Sequence, residues 1–256
     1  MQAFFSLIRQ VTMMSVRLSA LAQGDDWVEE TPEQAFRWSG QMIAGQKLTL
    51  IGVNGAIRVR GVEGNEVRVT AVKRGDSLKM KEVRVENEQT GDGVTLRAIY
   101  PRRVRFGRNN NVEVNFTVEI PARVRLVARV GNGSMNVKSV AADVELCTGN
   151  GGISISDSGW VSAESGNGFI HASVRETNWE KPLHFRTANG SIRLELPSGV
   201  SARIQAKTVN GTVSADFPLA SEKKSRNFLS GVLGDDARRE LFCECGNGSI
   251  HLSQTA

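Results

Sequence analysis

Short stretches of alternating apolar and polar residues recur along the chain, and each has an Asn-Gly pair at its centre. The pairs begin at Asn54, Asn132, Asn150, Asn167, Asn189, Asn210 and Asn247. The third and fifth positions after each Asn are apolar, as at Ile192 and Leu194, and the residues before the pair also alternate, as at Phe185 and Thr187. This period of two predicts that one half-buried strand enters each pair and another leaves it.

The spacing of the pairs predicts how the strands are arranged. From Asn132 onward the intervals are 18, 17, 22, 21 and 37 residues, so the unit is about twenty residues long with one insertion. An Asn-Gly hairpin turn would give an antiparallel β-sandwich or meander. A parallel β-helix would instead make each pair a corner, stacked on the next at about 4.8 Å. We favour this β-solenoid, because stacking gives identical residues in a column a reason to recur.

The stacked arrangement assigns structural roles to the corner residues. Thr or Ser two places before Asn should point inward, and the asparagine side chains should form a ladder. Four repeats have Gly before Asn, at Gly131, Gly149, Gly166 and Gly246, where the corner at 208–211 has Val, and we expect those four corners to be looser. The predicted corner residues are Asn54, Gly55, Asn132, Gly133, Asn150, Gly151, Asn167, Gly168, Asn189, Gly190, Asn210, Gly211, Asn247 and Gly248.

The repeat divides the chain into a regular and an irregular part. Residues 132–256 form the regular solenoid with the insertion at 216–240, and residues 41–131 form a β-rich but irregular N-terminal part of the solenoid that we expect either to cap one end or to form wider coils. Residues 25–40 form an entry linker. We expect the repeats to stack in chain order, which leaves the last coil with an open edge unless the insertion covers it, and an open edge invites self-association.

The first 24 residues predict export. They contain no acidic residue and end in Ala20-Leu21-Ala22, as a secretory cleavage site does, although Arg9 and Arg17 interrupt the apolar region. An amphipathic surface helix is the alternative for this segment. No uncharged apolar stretch of membrane-spanning length occurs elsewhere, so the sequence predicts no transmembrane span, and the candidate signal segment predicts an extracytoplasmic location.

Composition and charge narrow the choice of partner. The hydrophobic fraction of 40% and the charged fraction of 23% exclude wholesale disorder, and the 15 aromatic residues suit a narrow coil interior. The net charge of +5 comes from the first half of the chain, where Arg102, Arg103 and Arg105 are candidates for anion binding, with a solvated loop as the alternative. Nucleic acid is not expected, because no recognition helix or stacking-aromatic motif accompanies these arginines.

Residues capable of catalysis or metal binding are scattered. If coils stack in chain order, His171 and His251 lie three coils or about 14 Å apart, too far to share a metal ion. Glu145 and Glu164 face outward on neighbouring coils, as the acid and base of a carbohydrate-active β-helix enzyme would, but they are offset by two positions. Such an enzyme, acting on an acidic polysaccharide, is therefore the alternative to a non-catalytic module. The turn serines Ser134, Ser191 and Ser249 have no base nearby. The sequence therefore assigns no catalytic residue, metal site or cofactor.

Several of these stretches resemble a bacterial adhesin-like family of β-strand repeats that is a domain of unknown function. The resemblance rests on residues 187–192, 196–200 and 208–213, and it extends over about 36–252. It implies a β-solenoid-like domain exported across the inner membrane, without established enzymatic activity. The expected function is a non-catalytic binding or structural module of the cell envelope, with a protein or glycan partner.

Overall fold

The computed structural model describes residues 27–29, 31, 35–101, 111–177, 179–235 and 237–255. These residues form twenty-two strands and one short helix. The elements in chain order are β1 Trp27–Glu29, β2 Phe36–Gln41, β3 Lys47–Asn54, β4 Ile57–Val62, β5 Glu66–Asp76, α1 Ser77–Glu82, β6 Arg84–Thr90, β7 Gly93–Ile99, β8 Glu113–Pro121, β9 Arg125–Asn132, β10 Met135–Lys138, β11 Val144–Asn150, β12 Ile153–Ser158, β13 Val161–Asn167, β14 Ile170–Val174, β15 Leu183–Asn189, β16 Ile192–Leu196, β17 Ala202–Asn210, β18 Val213–Ala215, β19 Ala220–Ser225, β20 Phe228–Leu233, β21 Glu240–Asn247 and β22 Ile250–Gln254.

The strands form two sheets of eleven strands each. Sheet A has the order β1-β5-β8-β4-β10-β12-β14-β16-β22-β18, with β2 also paired to β5. Sheet B has the order β19-β20-β17-β21-β15-β13-β11-β9-β3-β7-β6. Each Asn-Gly corner joins a strand of sheet B to a strand of sheet A, so one strand from each sheet makes one coil.

Neighbouring coils pair in parallel with the repeats in register. Asn167 is paired with Asn150 on one side and Asn189 on the other, and the apolar positions after the corner align in the same way. The inward residues fill the core between the sheets: Ile170, Ile192 and Ile250 are all fully buried or nearly so. The prediction of a β-solenoid is confirmed, and the antiparallel sandwich is ruled out because the strands flanking each Asn-Gly pair lie in different sheets.

Antiparallel strands cover both ends of the parallel stack. At one end β5 pairs with β8 and β6 with β7, while β1 and β2 extend sheet A beyond β5. At the other end β20 pairs with β17 and β19 pairs with β20. The helix α1 follows β5, and its first turn is capped by Asp76, whose carboxylate accepts hydrogen bonds from the amides of Leu78 and Lys79.

The expectation that coils stack in chain order is wrong. The last coil, β21 and β22, lies between the β15/β16 coil and the β17/β18 coil in both sheets. The corners therefore follow the spatial order Asn54, Asn132, Asn150, Asn167, Asn189, Asn247, Asn210. The displacement has a topological reason: β20 folds back antiparallel on β17, so the chain returns to pair on the other edge of that strand.

The C-terminal coil is consequently not an open edge. The 216–240 segment supplies β19 and β20, which lie beside β17 rather than beside β21. Strand β18 ends sheet A, and its Val213 amide donates to the carbonyl of Arg226 at 2.9 Å in the β19–β20 turn. The outermost strands of sheet B are thus β6 and β19.

Candidate functional surfaces

The corner asparagines form one continuous hydrogen-bonded ladder. In each step the side-chain Nδ2 of one Asn donates to the Oδ1 of the next, and the distances run from 2.6 to 2.9 Å. Six such bonds connect all seven asparagines, in the spatial rather than the chain order. The ladder ties successive coils together along one edge of the solenoid.

A second set of hydrogen bonds lies just inside the corners, where the residue two places before Asn donates to a glycine carbonyl of the neighbouring coil at five of the seven corners. Thr187 Oγ1 donates to the carbonyl of Gly168 at 2.8 Å, and Ser165 Oγ donates to that of Gly151 at 3.0 Å. Cys245 occupies the same position and its Sγ donates to the carbonyl of Gly190 at 3.1 Å. Burial raises the pKa of the Cys245 thiol, which keeps the proton that this bond needs.

The glycine of each corner is required by close packing of the backbone. Gly248 has a φ of 140°, and a Cβ there would collide with the carbonyl of Gly190 in the neighbouring coil. We expected the four Gly-Asn-Gly corners to be looser than the others. The structure shows that this expectation is wrong. A Cβ at Gly149 would lie 2.6 Å from the carbonyl oxygen of Gly131, so the extra glycine permits a closer approach of the chains.

The outer face of sheet B carries charges of alternating sign. At the position three before Asn, adjacent strands present Glu164, Arg186, Glu244 and Lys207. Lys207 Nζ lies 2.8 Å from Glu244 Oε1, and Arg186 Nε lies 3.8 Å from Glu244 Oε2. The hydrogen bond from Lys207 is the main cause that lowers the pKa of Glu244. Exposed ion pairs of this kind add little stability and serve mainly to keep the face polar.

The two carboxylates of the enzyme alternative lie on the same face. Glu145 is paired with Ser162 and Cys147 with Glu164, so the carboxylates are diagonal neighbours. Both line an open depression together with Arg129. The depression is open to solvent, in contrast to the enclosed pocket that a small substrate needs.

The histidines are closer together than chain order implies. His171 and His251 both flank Arg193 in sheet A, so two strand spacings of about 4.8 Å separate them instead of three. The pKa of His171 is lowered, mainly by burial and to a smaller extent by the positive charge of Arg193. The third histidine, His184, stacks on Phe242 of the adjacent strand in sheet B, with ring centroids 5.1 Å apart. No metal-binding cluster occurs in the part of the chain that the structure describes.

One group of three polar residues was not predicted from the sequence. These residues meet because β22 lies beside β18, strands that stacking in chain order also places together, but the repeat pattern alone does not mark this pair of strands as a site. Ser214 Oγ lies 3.0 Å from His251 Nδ1, and His251 Nε2 lies 3.1 Å from Asp216 Oδ2. These groups could in principle form a nucleophile, a base and an orienting carboxylate. The Asp216 side chain, however, is 60% exposed, whereas the carboxylate of a Ser-His-Asp triad is buried. We interpret the three residues as a polar link between β18 and β22.

The other residues that the sequence singled out either hold connections, fill the core or are exposed, or they lie outside the described residues. Trp160 Nε1 donates to the carbonyl of Lys181 at 2.9 Å, and the buried Trp179 donates to that of Glu240 at 3.3 Å, so both hold connections against the coils. Cys147 is exposed and unpaired, while Cys243 is buried. Arg102, Arg103 and Arg105, and residues 1–24, lie outside the described residues.

The part of the chain that is described contains no helix with the length and hydropathy of a membrane span. The fold and the repeated corners define a class, the β-solenoid domains of the Toastrack type. The Toastrack domain of unknown function, DUF4097, matches residues 39–241, which is more than half of the chain. The chain belongs to this family.

Solved structures with a similar fold include a candidate cell adhesion protein from Clostridium sporogenes, with 14% identity and a TM-score of 0.51, covering 86% of this chain and all of the other. A candidate adhesin from Bacteroides fragilis has 9% identity and a TM-score of 0.30, covering 87% of this chain and 98% of the other. A candidate lipid binding protein from Parabacteroides distasonis has 11% identity and a TM-score of 0.33, covering 87% and 97%. No curated protein matches the chain significantly.

Proposed function

We propose that the protein is a non-catalytic, adhesin-like module that binds or organises components of the bacterial cell envelope outside the cytoplasm. One observation carries the proposal: a rigid hydrogen-bonded stack presents two broad outer faces whose polar side chains stand at fixed spacing. Such a surface suits an extended partner better than a small substrate, which needs a concave pocket. The family and the cell adhesion protein with the same fold support this function.

The compartment is tested by fractionating the native bacterium and determining the N-terminal residue of the mature protein. We expect the protein in the envelope or the external fraction, with residues 1–22 removed after Ala22. Recovery from the cytoplasm with Met1 intact would refute the extracytoplasmic function.

A carbohydrate-active enzyme is the second candidate function, and it is favoured by the depression that Glu145 and Glu164 share with Arg129. A cation beside two carboxylates could hold an acidic sugar near a general acid and a base. The test is release of product from a panel of acidic polysaccharides by the wild type, and its loss in Glu145→Ala or Glu164→Ala. Absence of turnover across the panel removes this candidate.

We propose self-association through β6, the edge strand of sheet B at the end opposite β19. The molar mass in solution, measured by light scattering, tests it directly.

A further inference from the structure

A strip of basic and polar side chains crosses the outer face of sheet A on the adjacent strands β4, β10 and β12. We call its six outward residues the basic strip: Arg58, Arg60, Asn136, Lys138, Ser154 and Ser156. The register places Arg58 beside Asn136 and Arg60 beside Lys138, and it continues to Ser154 and Ser156. The strip contains three cations, two hydroxyls and one amide, and no acid.

The three cations repel one another in the folded chain. Arg60 and Lys138 are directly paired on neighbouring strands, which are about 4.8 Å apart, and Arg58 lies two residues from Arg60 on the same face. Like charges at directly paired positions of a sheet are destabilising. All three side chains are exposed, so they are accessible to a partner.

The carboxylates that border the strip on β8 and β12 each lie within ion-pair distance of another arginine. Glu119, which is paired with Arg60 in the register, lies 3.5 Å from Arg68 through its carboxylate oxygen. Asp157, which follows the strip on β12, lies 3.4 Å from Arg175. Arg58, Arg60 and Lys138 therefore have no carboxylate partner among the residues described. A ligand that supplies several negative charges would relieve this repulsion.

We propose that the basic strip binds an acidic polysaccharide. Arginine forms paired hydrogen bonds with carboxylate or sulfate groups, and the hydroxyls of Ser154 and Ser156 and the amide of Asn136 match the hydroxyls of the sugar rings. A single-stranded nucleic acid would need aromatic platforms for its bases, and the three strands present none outward. This inference rests on the proposed function, since it names the partner class of the binding module.

The test uses the purified full chain and immobilised polygalacturonate at low salt, with neutral dextran as the reference polymer. The strip variant carries Arg58→Gln, Arg60→Gln and Lys138→Gln. A matched control, Lys81→Gln, Arg203→Gln and Lys223→Gln, removes the same charge from exposed sites away from the strip. A third variant, Arg102→Gln, Arg103→Gln and Arg105→Gln, tests the arginine segment that the sequence singled out.

We expect the wild type to bind polygalacturonate and not dextran, with affinity that falls as salt rises. The strip variant should bind at least about tenfold more weakly, and the control variant within about twofold of the wild type. The melting temperature of the strip variant should not fall, because the substitutions remove repulsion.

Equal weakening in the strip and control variants would overturn the inference, because net charge alone would then explain binding. Loss only in the Arg102, Arg103 and Arg105 variant would place the anion site elsewhere. Equally tight binding of single-stranded DNA would replace the polysaccharide by a nucleic acid. The binding assay and the fractionation experiment are independent. Failure to bind polygalacturonate would reject the partner class and not the extracytoplasmic location, and a cytoplasmic location would reject the proposed function and not the measured binding.

Discussion

Most corner residues of the solenoid have a defined hydrogen-bond partner in the next coil. Asn167 both donates to Asn150 and accepts from Asn189, whereas Asn210 stands at one end of the ladder and has a single such bond, to Asn247. A residue in a column is thus stabilised by its neighbours on both sides, and an end residue by one. The contribution of the ladder to the free energy of unfolding can therefore be measured by comparing a central asparagine with an end asparagine.

Replacing Asn167 by Ala should reduce the free energy of unfolding by about 1–2 kcal/mol, because two net hydrogen bonds are lost. Asn210→Ala loses one and should cost about half as much. Urea denaturation measures both values. Equal costs for the two variants would show that the ladder contributes nothing beyond the turn itself.

At the position two places before Asn, we expect cysteine to replace threonine with little loss of stability. Thr187 donates to the carbonyl of Gly168, and Cys245 makes the equivalent bond in the adjacent coil. Thr187→Val should cost about 0.5–1.5 kcal/mol, because the part-buried hydrogen bond to the Gly168 carbonyl is lost, while Thr187→Cys should cost less. Thermal unfolding in reducing buffer compares them, and a Cys variant as unstable as the Val variant would argue against the thiol as a donor.

Among whole elements, the edge strand β19 protects sheet B from association. Its residues are all exposed, and Glu222, Lys223 and Lys224 occupy its centre. Charged side chains on an edge strand oppose pairing with another chain. The edge hairpin therefore ends the sheet instead of extending it.

Substituting Thr at Glu222, Lys223 and Lys224 should convert β19 into a strand that pairs with a second copy. Light scattering after size-exclusion chromatography should then show a larger mass than for the wild type. A charge-retaining control, Glu222→Asp, Lys223→Arg and Lys224→Arg, should keep the wild-type mass. If the Thr variant also keeps it, the edge is protected by shape rather than by charge.

The link between β18 and β22 gives a prediction about chemistry. His251 is hydrogen-bonded to Ser214 and lies within ion-pair distance of Asp216, but solvent reaches the carboxylate. We expect hydrolysis of p-nitrophenyl acetate to be the same for the wild type and for Ser214→Ala, and to stay at the level of free imidazole. A serine-dependent rate above that level would make this row a catalytic site.

The order of the coils is a property of the whole molecule. The local repeats predicted which residues face inward, which residues form the corners and that strands of neighbouring coils pair in parallel, and Ile170, Ile192 and Ile250 all lie where their position in the repeat requires. They did not predict that β21 pairs with both β15 and β17. The candidate row of Ser214, His251 and Asp216 was missed independently of this order, because β18 and β22 are neighbours in either arrangement.

Cysteine pairs can report that order directly. In a Cys147→Ser background, Arg186→Cys with Glu244→Cys should form a disulfide, because these residues are paired on neighbouring parallel strands. Arg186→Cys with Lys207→Cys should not, since β21 lies between their strands. Mass spectrometry after mild oxidation detects the bond. Cross-linking of the second pair instead of the first would restore the stacking in chain order.

The sequence alone determined the repeating unit, the inward and outward faces of each strand and the identity of the corners. These depend on local alternation and on backbone demands that act within one coil and its nearest neighbour. The tertiary structure alone decided which coil lies next to which. Since every coil ends in the same Asn-Gly corner, the pattern permits any of them to be neighbours, and the antiparallel return of β20 on β17 selects one arrangement.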